Sequence, residues 1–162
     1  MNESADATLD YQALRKSTSS VQLATINRDN LPEASYAPCV WYEGDCYLFL
    51  SGLSSHTDNL ENNPSISLLL LEEGSPANAF ARKRASLHGR ARIIGRDEET
   101  FDRVMRVFHE SFGKVMQIIE PLPDFRLFRV SLEAGSFVRG FGQAYALTGE
   151  KLESLVPVDP RK

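Results

Sequence analysis

The chain has 162 residues, of which 42% are hydrophobic and 25% charged, a balance typical of one globular domain with a core of its own. The formal net charge is -4, so the overall electrostatic field gives no support for nonspecific binding to nucleic acid. No apolar run approaches the roughly 20 residues that a membrane span requires, and residues 1–16 lack the apolar core of a signal peptide. We therefore expect a cytoplasmic protein with one domain over residues 1–149 and a short C-terminal tail over residues 150–162.

The first half of the chain predicts a helix and then three consecutive strands. Apolar residues spaced among polar neighbours in segment 8–17 indicate a short amphipathic helix. Alternating apolar and polar side chains then predict strands over residues 21–26, 34–41 and 46–51. The connections are a turn rich in Asn, Asp and Pro and the turn Glu43-Gly44-Asp45, so we expect these strands to form an antiparallel meander.

The second half adds a very apolar strand, a longer helix and several closing strands. Ser55 is the expected N-cap of the next helix, and the apolar segment 65–71 predicts a strand that is buried on both faces. A strand over residues 84–95 precedes a helix that Asp97 caps and Gly113 ends. The remaining strands are predicted over residues 125–132, 135–139 and 143–148. This order of elements predicts a mainly β fold, a barrel with added helices, rather than an alternating α/β sheet.

Residue types that often carry catalysis are sparse. Cys39 and Cys46 flank a turn, and we expect free thiols, although their spacing permits a disulfide. The three histidines are His56, His88 and His109, and none of them stands in a pattern of nucleophile and base. No phosphate-binding loop and no cluster of metal ligands is apparent, so the sequence assigns no catalytic residue and no metal site.

Two segments contain the residue types that bind anions. The first runs from Ser51 to Thr57, where a strand ends in small residues and leads directly into a helix N-terminus, so that N–H groups and hydroxyls converge as a phosphate or carboxylate requires. The second is the basic segment 82–92, in which strand alternation places five side chains on one face: Arg82, Arg84, His88, Arg90 and Arg92. A capped helix without a ligand and a charged edge strand are the alternative interpretations.

A third segment, Gly135–Tyr145, combines glycines with aromatic residues. Its glycines allow a flat partner to approach the backbone closely, and Phe137, Phe141 and Tyr145 are available to stack on that partner. The same glycines are equally typical of a β-bulge or a barrel corner.

Seven short motifs, in one order from residue 21 to residue 145, are together more specific than any single feature. They are Gln22-Leu23-Ala24-Thr25, Ser35-Tyr36-Ala37-Pro38, His56-Thr57-x-Asn59-Leu60, Asn63-Pro64, Ala81-Arg82-Lys83-Arg84, Asp124-Phe125-x-Leu127-Phe128 and Gly140-Phe141-Gly142-Gln143-Ala144-Tyr145. In this order they resemble the haem-utilisation family of the FMN-binding split-barrel superfamily, whose members are similar to pyridoxamine 5'-phosphate oxidase. The resemblance implies a split β-barrel that forms a homodimer, with cofactors in the two clefts at the dimer interface.

The resemblance also implies which residues hold a cofactor. In flavin-binding relatives, the strand–helix junction and the basic strand hold the FMN phosphate. The corresponding residues here are Ser51, Ser55, His56, Thr57, Arg82, Lys83 and Arg84. In haem-binding relatives, an arginine matching Arg84 approaches the haem, an aspartate matching Asp124 hydrogen-bonds an axial histidine, and a hydroxyl residue matching Ser20 lies nearby. Ser35, in the second motif, completes the expected cofactor-binding set.

The choice of cofactor depends on the C-terminal segment. Haem-degrading relatives carry the axial histidine there, whereas residues 150–162 of this chain contain none. We therefore expect an FMN-binding protein, a flavin-dependent oxidoreductase, with a haem-binding or haem-degrading protein as the alternative. A third interpretation is a cofactor-free dimer that binds a partner protein.

Overall fold

Eight strands and four α-helices form in residues 3–74 and 78–159, the part of the chain that the computed structural model describes. The helices are α1 (Glu3–Ser17), α2 (Ser55–Asn62), α3 (Glu99–Phe112) and α4 (Lys114–Ile119). The strands are β1 (Ser20–Ile26), β2 (Pro32–Tyr42), β3 (Asp45–Leu50), β4 (Ser65–Leu71), β5 (Arg84–Ile94), β6 (Arg126–Gly140), β7 (Gln143–Thr148) and β8 (Ser154–Pro157). One turn of 3-10 helix, Ala79–Ala81, precedes β5.

Six of these strands close into an antiparallel barrel. Neighbours pair in the order β3-β2-β1-β4-β5-β6, and the pairing of β3 with β6 closes the ring. Strands β7 and β8 continue the sheet beyond β6. The predicted β-barrel with added helices is confirmed, and the first three strands form the expected antiparallel meander.

The barrel interior is filled by the apolar side chains that alternate along each strand. Val21, Leu68 and Leu87 point inside and are almost completely inaccessible to solvent. Helix α1 adds Tyr11 and Leu14 to the same core. Full burial of a large apolar side chain contributes about 1.5–3 kcal/mol, so this inward set provides much of the stability of the barrel. Both cysteines are free thiols inside this core.

A second core lies between the outer side of the barrel and α3. Phe101, Val104 and Phe108 on one face of α3 pack with Val40 of β2 and Phe49 of β3. These helical residues are three or four positions apart, which is the spacing of one buried helix face. None of the helices in the described ranges is long and apolar enough to cross a membrane.

Helix caps and one strand environment differ from the sequence prediction. The N-cap of α2 is Ser54 rather than Ser55, and it makes no side-chain capping hydrogen bond. Glu98 rather than Asp97 is the N-cap of α3. Strand β4 alternates buried and half-exposed residues, so the expectation that it is buried on both faces is wrong. The reason is that successive side chains of β4 point alternately into the barrel, as Ile66, Leu68 and Leu70 do, and toward its outer surface.

The last barrel strand also differs, because β6 is continuous where two separate strands were predicted. His88 of β5 pairs with Ala134, and the next residue, Gly89, pairs with Leu132, so Glu133 is an extra residue on β6. A β-bulge of this kind lets a strand bend without breaking. The residues that resembled a strand end are therefore a bulge inside β6.

Candidate functional site

The end of β3 and the start of α2 form the first predicted site, the strand–helix junction (residues 51–57). Ser51 Oγ donates a hydrogen bond to Asp124 Oδ2 (2.9 Å), and the backbone N–H of Gly52 donates to the same oxygen (3.2 Å). Thr57 Oγ1 donates to the carbonyl of Ser51 (2.6 Å). The predicted residues Ser51, Thr57 and Asp124 are therefore brought together, and their hydrogen bonds join the strand to the helix.

The adjoining histidine is held by strand β2. His56 is only 9% exposed, and its Nδ1 lies 2.9 Å from Ser35 Oγ. Burial lowers the pKa of His56 because the charged ring loses hydration, so the neutral imidazole predominates at pH 7. Ser55 is exposed at the first position of α2. The structure thus places Ser35 and His56 in one contact, which the sequence motifs alone did not indicate.

The basic segment is held largely by contacts within the protein. Arg82 donates to the carbonyl of Glu72 from Nε (3.0 Å) and Nη2 (2.8 Å). Lys83 Nζ and Arg139 Nε bind the two carboxylate oxygens of Asp10 on α1, at 2.8 and 2.5 Å. Burial acts to raise the pKa of Asp10, but the hydrogen bonds from Lys83 and Arg139 outweigh it, and the pKa is lowered. Arg82 and Lys83 therefore already have partners.

The predicted basic face of this segment is smaller than expected. Arg84, His88, Arg90 and Arg92 do alternate with the buried residues of β5 and point outward. Arg82 does not join them, because it precedes the strand and turns back to the carbonyl of Glu72.

Arg84 lines a cavity of about 360 Å³ between the start of β5 and the turn from β6 to β7, which we call the Arg84 cavity. Its apolar lining includes Phe80, Val138, Phe141 and Ala144. Phe80 is 76% exposed and Phe141 is 85% exposed. Exposed aromatic rings beside a guanidinium group are typical of a binding surface for a flat, partly anionic ligand.

The third predicted segment contributes less to this surface than expected. Phe137 and Tyr145 are 0% and 5% exposed, and they pair directly across β6 and β7 with their rings in the barrel core. Phe141 alone of the three aromatic residues is exposed, because it lies in the turn between these strands. Of the two interpretations of this segment, stacking on a ligand therefore stays open for Phe141 alone, and the structural one describes Phe137 and Tyr145.

Ser20 lies on the same side of the sheet as Arg84. Gln22 pairs with Leu69, and Leu69 pairs with Ser86, so Ser20 and Arg84 are each two residues further along their strands in the same direction. Side chains two residues apart share a face of a strand. Ser20 and Arg84 therefore belong to one outward surface, separated by the width of β4.

Asp124 and Arg84 lie near opposite ends of β6. Asp124 stands just before Arg126, which pairs with the end of β3, whereas Arg84 pairs with Val138. The strand from residue 126 to residue 138 spans about 40 Å if it is fully extended. The predicted site residues therefore form two separate groups in one chain, with Arg84 and Ser20 in one and Asp124 in the other. Their roles in binding a cofactor stay predictions.

Comparisons with known proteins agree on the fold and on a family. The family model of pyridoxamine 5'-phosphate oxidase matches residues 8–139. The haem oxygenase HutZ of Vibrio cholerae is 35% identical over 151 residues, which cover 93% of this chain and 86% of that protein. A crystal structure of HutZ from Vibrio cholerae, there called a haem storage protein, superposes with a TM-score of 0.73 at 32% identity, over 77% of this chain and 89% of that one. ChuZ of Campylobacter jejuni superposes with a TM-score of 0.87 at 29% identity, over 100% of this chain and 68% of that one.

These relatives overturn the expectation of a flavin-dependent oxidoreductase. The relative with 35% identity is named for haem, and the expectation of FMN had depended on the histidine-free segment 150–162. The contacts described above are consistent with the correction, because Ser51, Thr57, Arg82 and Lys83 are engaged inside the protein. By its matches and its closed six-stranded barrel, the chain belongs to the haem-utilisation branch of the pyridoxamine 5'-phosphate oxidase-like split-barrel superfamily.

Proposed function

We propose that this protein binds haem. The observation that carries the proposal is the 35% identity, over 93% of the chain, to a protein named a haem oxygenase. A crystal structure of HutZ from Vibrio cholerae, the organism of that haem oxygenase, is called that of a haem storage protein. The two names differ on degradation but share haem binding, and haem binding is therefore the function that we propose.

The residues of the Arg84 cavity fit this ligand. Haem is a flat apolar ring that carries two carboxylates. The exposed rings of Phe80 and Phe141 offer apolar surface, and Arg84 offers a guanidinium group of the geometry that binds carboxylates. The small Ala144 and the two glycines of the turn leave the approach open. When it is bound, haem supplies the redox chemistry of its iron, while these residues bind and orient the ring.

We also propose that two copies of the chain form the complete site. Two observations support this. A cavity of about 360 Å³ covers only part of a haem molecule, and Asp124 lies far from Arg84 within one chain. A two-fold axis allows the Asp124 end of one copy to lie beside the Arg84 end of the other.

The outward face of the barrel is the surface that we assign to this dimer. We define this face by outward-pointing residues that pair across β2, β1, β4, β5 and β6, and most of these residues have small side chains. They are Gln22, Ala24, Ala34, Tyr36, Ser67, Leu69, Ser86, His88, Ala134 and Ser136. Small side chains let two sheets approach closely, and Tyr36 is a 60% exposed aromatic residue at one side of the face. These features favour a second copy of the same face as its cover.

Titration with haemin tests the proposed function. We expect a Soret band that saturates at one haem per chain. Joint replacement Phe80→Ala and Phe141→Ala is expected to weaken binding by about tenfold or more, because it removes two apolar contacts of roughly 1 kcal/mol or more each. The matched control is Ile118→Ala, which removes a 70% exposed apolar side chain on α4, outside the residues predicted to hold the cofactor, and should leave the affinity unchanged. Haemin that keeps its free absorbance beside stoichiometric protein contradicts the proposal.

Light scattering at micromolar concentration tests the dimer. We expect a mass of twice 18.1 kDa for the wild type. Tyr36→Glu places a charge on the outward face and should give monomers, because an unpaired buried charge is strongly unfavourable at an interface. Val115→Glu introduces the same charge at a 48% exposed position on α4 and should leave the dimer intact. A monomeric wild type contradicts the two-copy site but not haem binding by the Arg84 cavity.

A further inference from the structure

The Arg84 cavity is lined by apolar side chains, glycines and two polar side chains. The polar side chains are those of Arg84 and Gln143, and Val138, Phe141 and Val158 are among the apolar ones. Haem iron in proteins is ligated by histidine, cysteine, methionine or tyrosine. None of these four residue types lines the cavity in residues 3–74 and 78–159. The cavity therefore offers a ligand apolar surface, one amide and one positive charge.

The C-terminal segment forms part of the apolar wall. Strand β8 pairs with β7, and beyond it the backbone N–H of Val158 donates a hydrogen bond to the carbonyl of Ala144 (2.9 Å). Val158 is 50% exposed and lines the cavity together with Phe141. Its side chain contributes a hydrocarbon contact to the ligand and has no group that binds a metal.

The three histidines of the sequence lie outside this cavity. His56 is 9% exposed, and its Nδ1 lies 2.9 Å from Ser35 Oγ, so its ring is enclosed by protein. His109 is on α3, with Nε2 2.5 Å from Glu120 Oε2. His88 belongs to the outward face, which the proposed dimer covers. Each imidazole is thus enclosed, paired or at the interface with the second copy.

The other side chains that commonly ligate iron are also withdrawn from the cavity. Both cysteines, Met105, Met116 and three of the five tyrosines are at most 5% exposed. Tyr42 packs against the second core, and Tyr36 lies on the outward face. Met1 is outside the described residues. Within residues 3–74 and 78–159, the usual ligands of haem iron therefore have no representative in the Arg84 cavity.

The contacts that the cavity does offer do not depend on a metal. Phe80 and Phe141 present apolar area, and apolar burial is non-directional and roughly proportional to that area. A flat tetrapyrrole ring covers the same area with or without an atom at its centre. Arg84 binds a carboxylate at the edge of the ring, away from the centre. Neither interaction distinguishes haem from the same ring without iron.

We propose that the Arg84 cavity recognises tetrapyrroles by their ring and carboxylates, and that it binds an iron-free porphyrin about as tightly as haem. The inference rests on the proposed haem-binding function and adds the ligand class, which is the flat tetrapyrrole dicarboxylates with or without a metal. The iron of bound haem then has no ligand from a protein side chain and stays accessible to a small ligand such as imidazole.

The first test compares three ligands on the full-length wild type: haemin, iron-free protoporphyrin and the dimethyl ester of that porphyrin. We expect the Kd values of haemin and the porphyrin to agree within about threefold, and the porphyrin to displace haemin one for one. The ester keeps the ring but has no charged carboxylate, so it should bind about tenfold more weakly or worse. Absorbance follows haemin, and fluorescence follows the other two.

Arg84→Ala links this comparison to the cavity. It should weaken haemin and the porphyrin by the same factor and leave the affinity of the ester unchanged, because only the carboxylates interact with the guanidinium group. Arg90→Ala removes the same charge elsewhere on β5 and should leave all three affinities unchanged.

A second test observes the iron itself. The reduced complex of haem with the wild type should show no Fe–His stretching band in its resonance Raman spectrum. Added imidazole should shift the Soret band of the bound haem to that of a nitrogen-ligated form without releasing it.

The outcomes separate the two proposals. A wild type that binds no haemin refutes the function and the inference together. Haemin that binds at least tenfold more tightly than the porphyrin, or that shows an Fe–His band, overturns the inference and leaves haem binding in place. A porphyrin that binds without displacing haemin, or that is insensitive to Arg84→Ala, has the same consequence.

Discussion

Replacing Gly89 with alanine is expected to lower the free energy of unfolding by about 2–4 kcal/mol, which corresponds to roughly 5–15 °C in the melting temperature. A Cβ at this position would lie 2.2 Å from the carbonyl oxygen of Ser131 and 3.2 Å from Cα of Leu132. Both contacts are with the backbone of β6, so no side-chain rotation can relieve them. Either β5 or β6 must move where the barrel is held by pairing on both sides.

Gly140→Ala is the matched control for this substitution. It lies on β6 and, like Gly89 on β5, is next to a register shift, but its nearest neighbours are Gln143 Oε1 at 3.9 Å and the carbonyl of Ala81 at 4.0 Å. We expect its free energy of unfolding, measured in denaturant, to stay within about 0.5 kcal/mol of the wild-type value. Equal stabilities of the two variants, measured by denaturant unfolding, would show that the bulge beside His88 is loose rather than closely packed.

The strands of this protein were predictable because their burial is one-sided. Leu23 and Ala37 point inward between outward-facing neighbours, and the sequence shows this as an alternation of apolar residues with polar or small ones. The closure of the barrel was not predictable in the same way, since Cys46 and Val130 pair across a long stretch of chain. A continuous β6 was also missed, because Gly135 is typical of a strand end and the compensating bulge depends on the partner strand.

The residues of the candidate site were predictable only where the sequence motifs resemble those of the haem-utilisation family. The motifs placed Asp124 in the site, and the structure adds that its carboxylate accepts a hydrogen bond from Ser51, 73 residues earlier. The partner of Lys83 and Arg139 is Asp10 on α1, which has no sequence signal because ion pairs between distant segments depend on the finished fold. The cofactor was predicted incorrectly for a different reason: the absence of a histidine from segment 150–162 was given more weight than the motifs that resemble the haem-utilisation family.

Arg84→Ala is expected to weaken haem binding by about 10- to 100-fold, which corresponds to the loss of roughly 1.5–3 kcal/mol from a charged hydrogen bond. Arg84 lines the cavity with the exposed Phe80 and Phe141, and among residues 3–74 and 78–159 its side chain makes one hydrogen bond, from Nη1 to the carbonyl of Arg82 (3.1 Å). The rest of the guanidinium group is therefore available to a propionate. Lys83, by contrast, is held by Asp10, so the affinity should depend on Arg84 far more than on its neighbour.

Arg90→Ala is the control. Arg90 is exposed on the same outward side of β5, six residues after Arg84, so its replacement removes the same charge away from the cavity. Its effect on haemin affinity should be less than about threefold, since exposed charges at that separation are largely screened at physiological salt. Arg84→Lys should fall between the two, because it keeps the charge and loses the two-pronged geometry that a carboxylate favours. Raising the salt concentration should weaken the wild type more than Arg84→Ala, as an ion pair requires. If Arg84→Ala and Arg90→Ala reduce the affinity equally, the cavity beside Phe141 is not where the propionates bind.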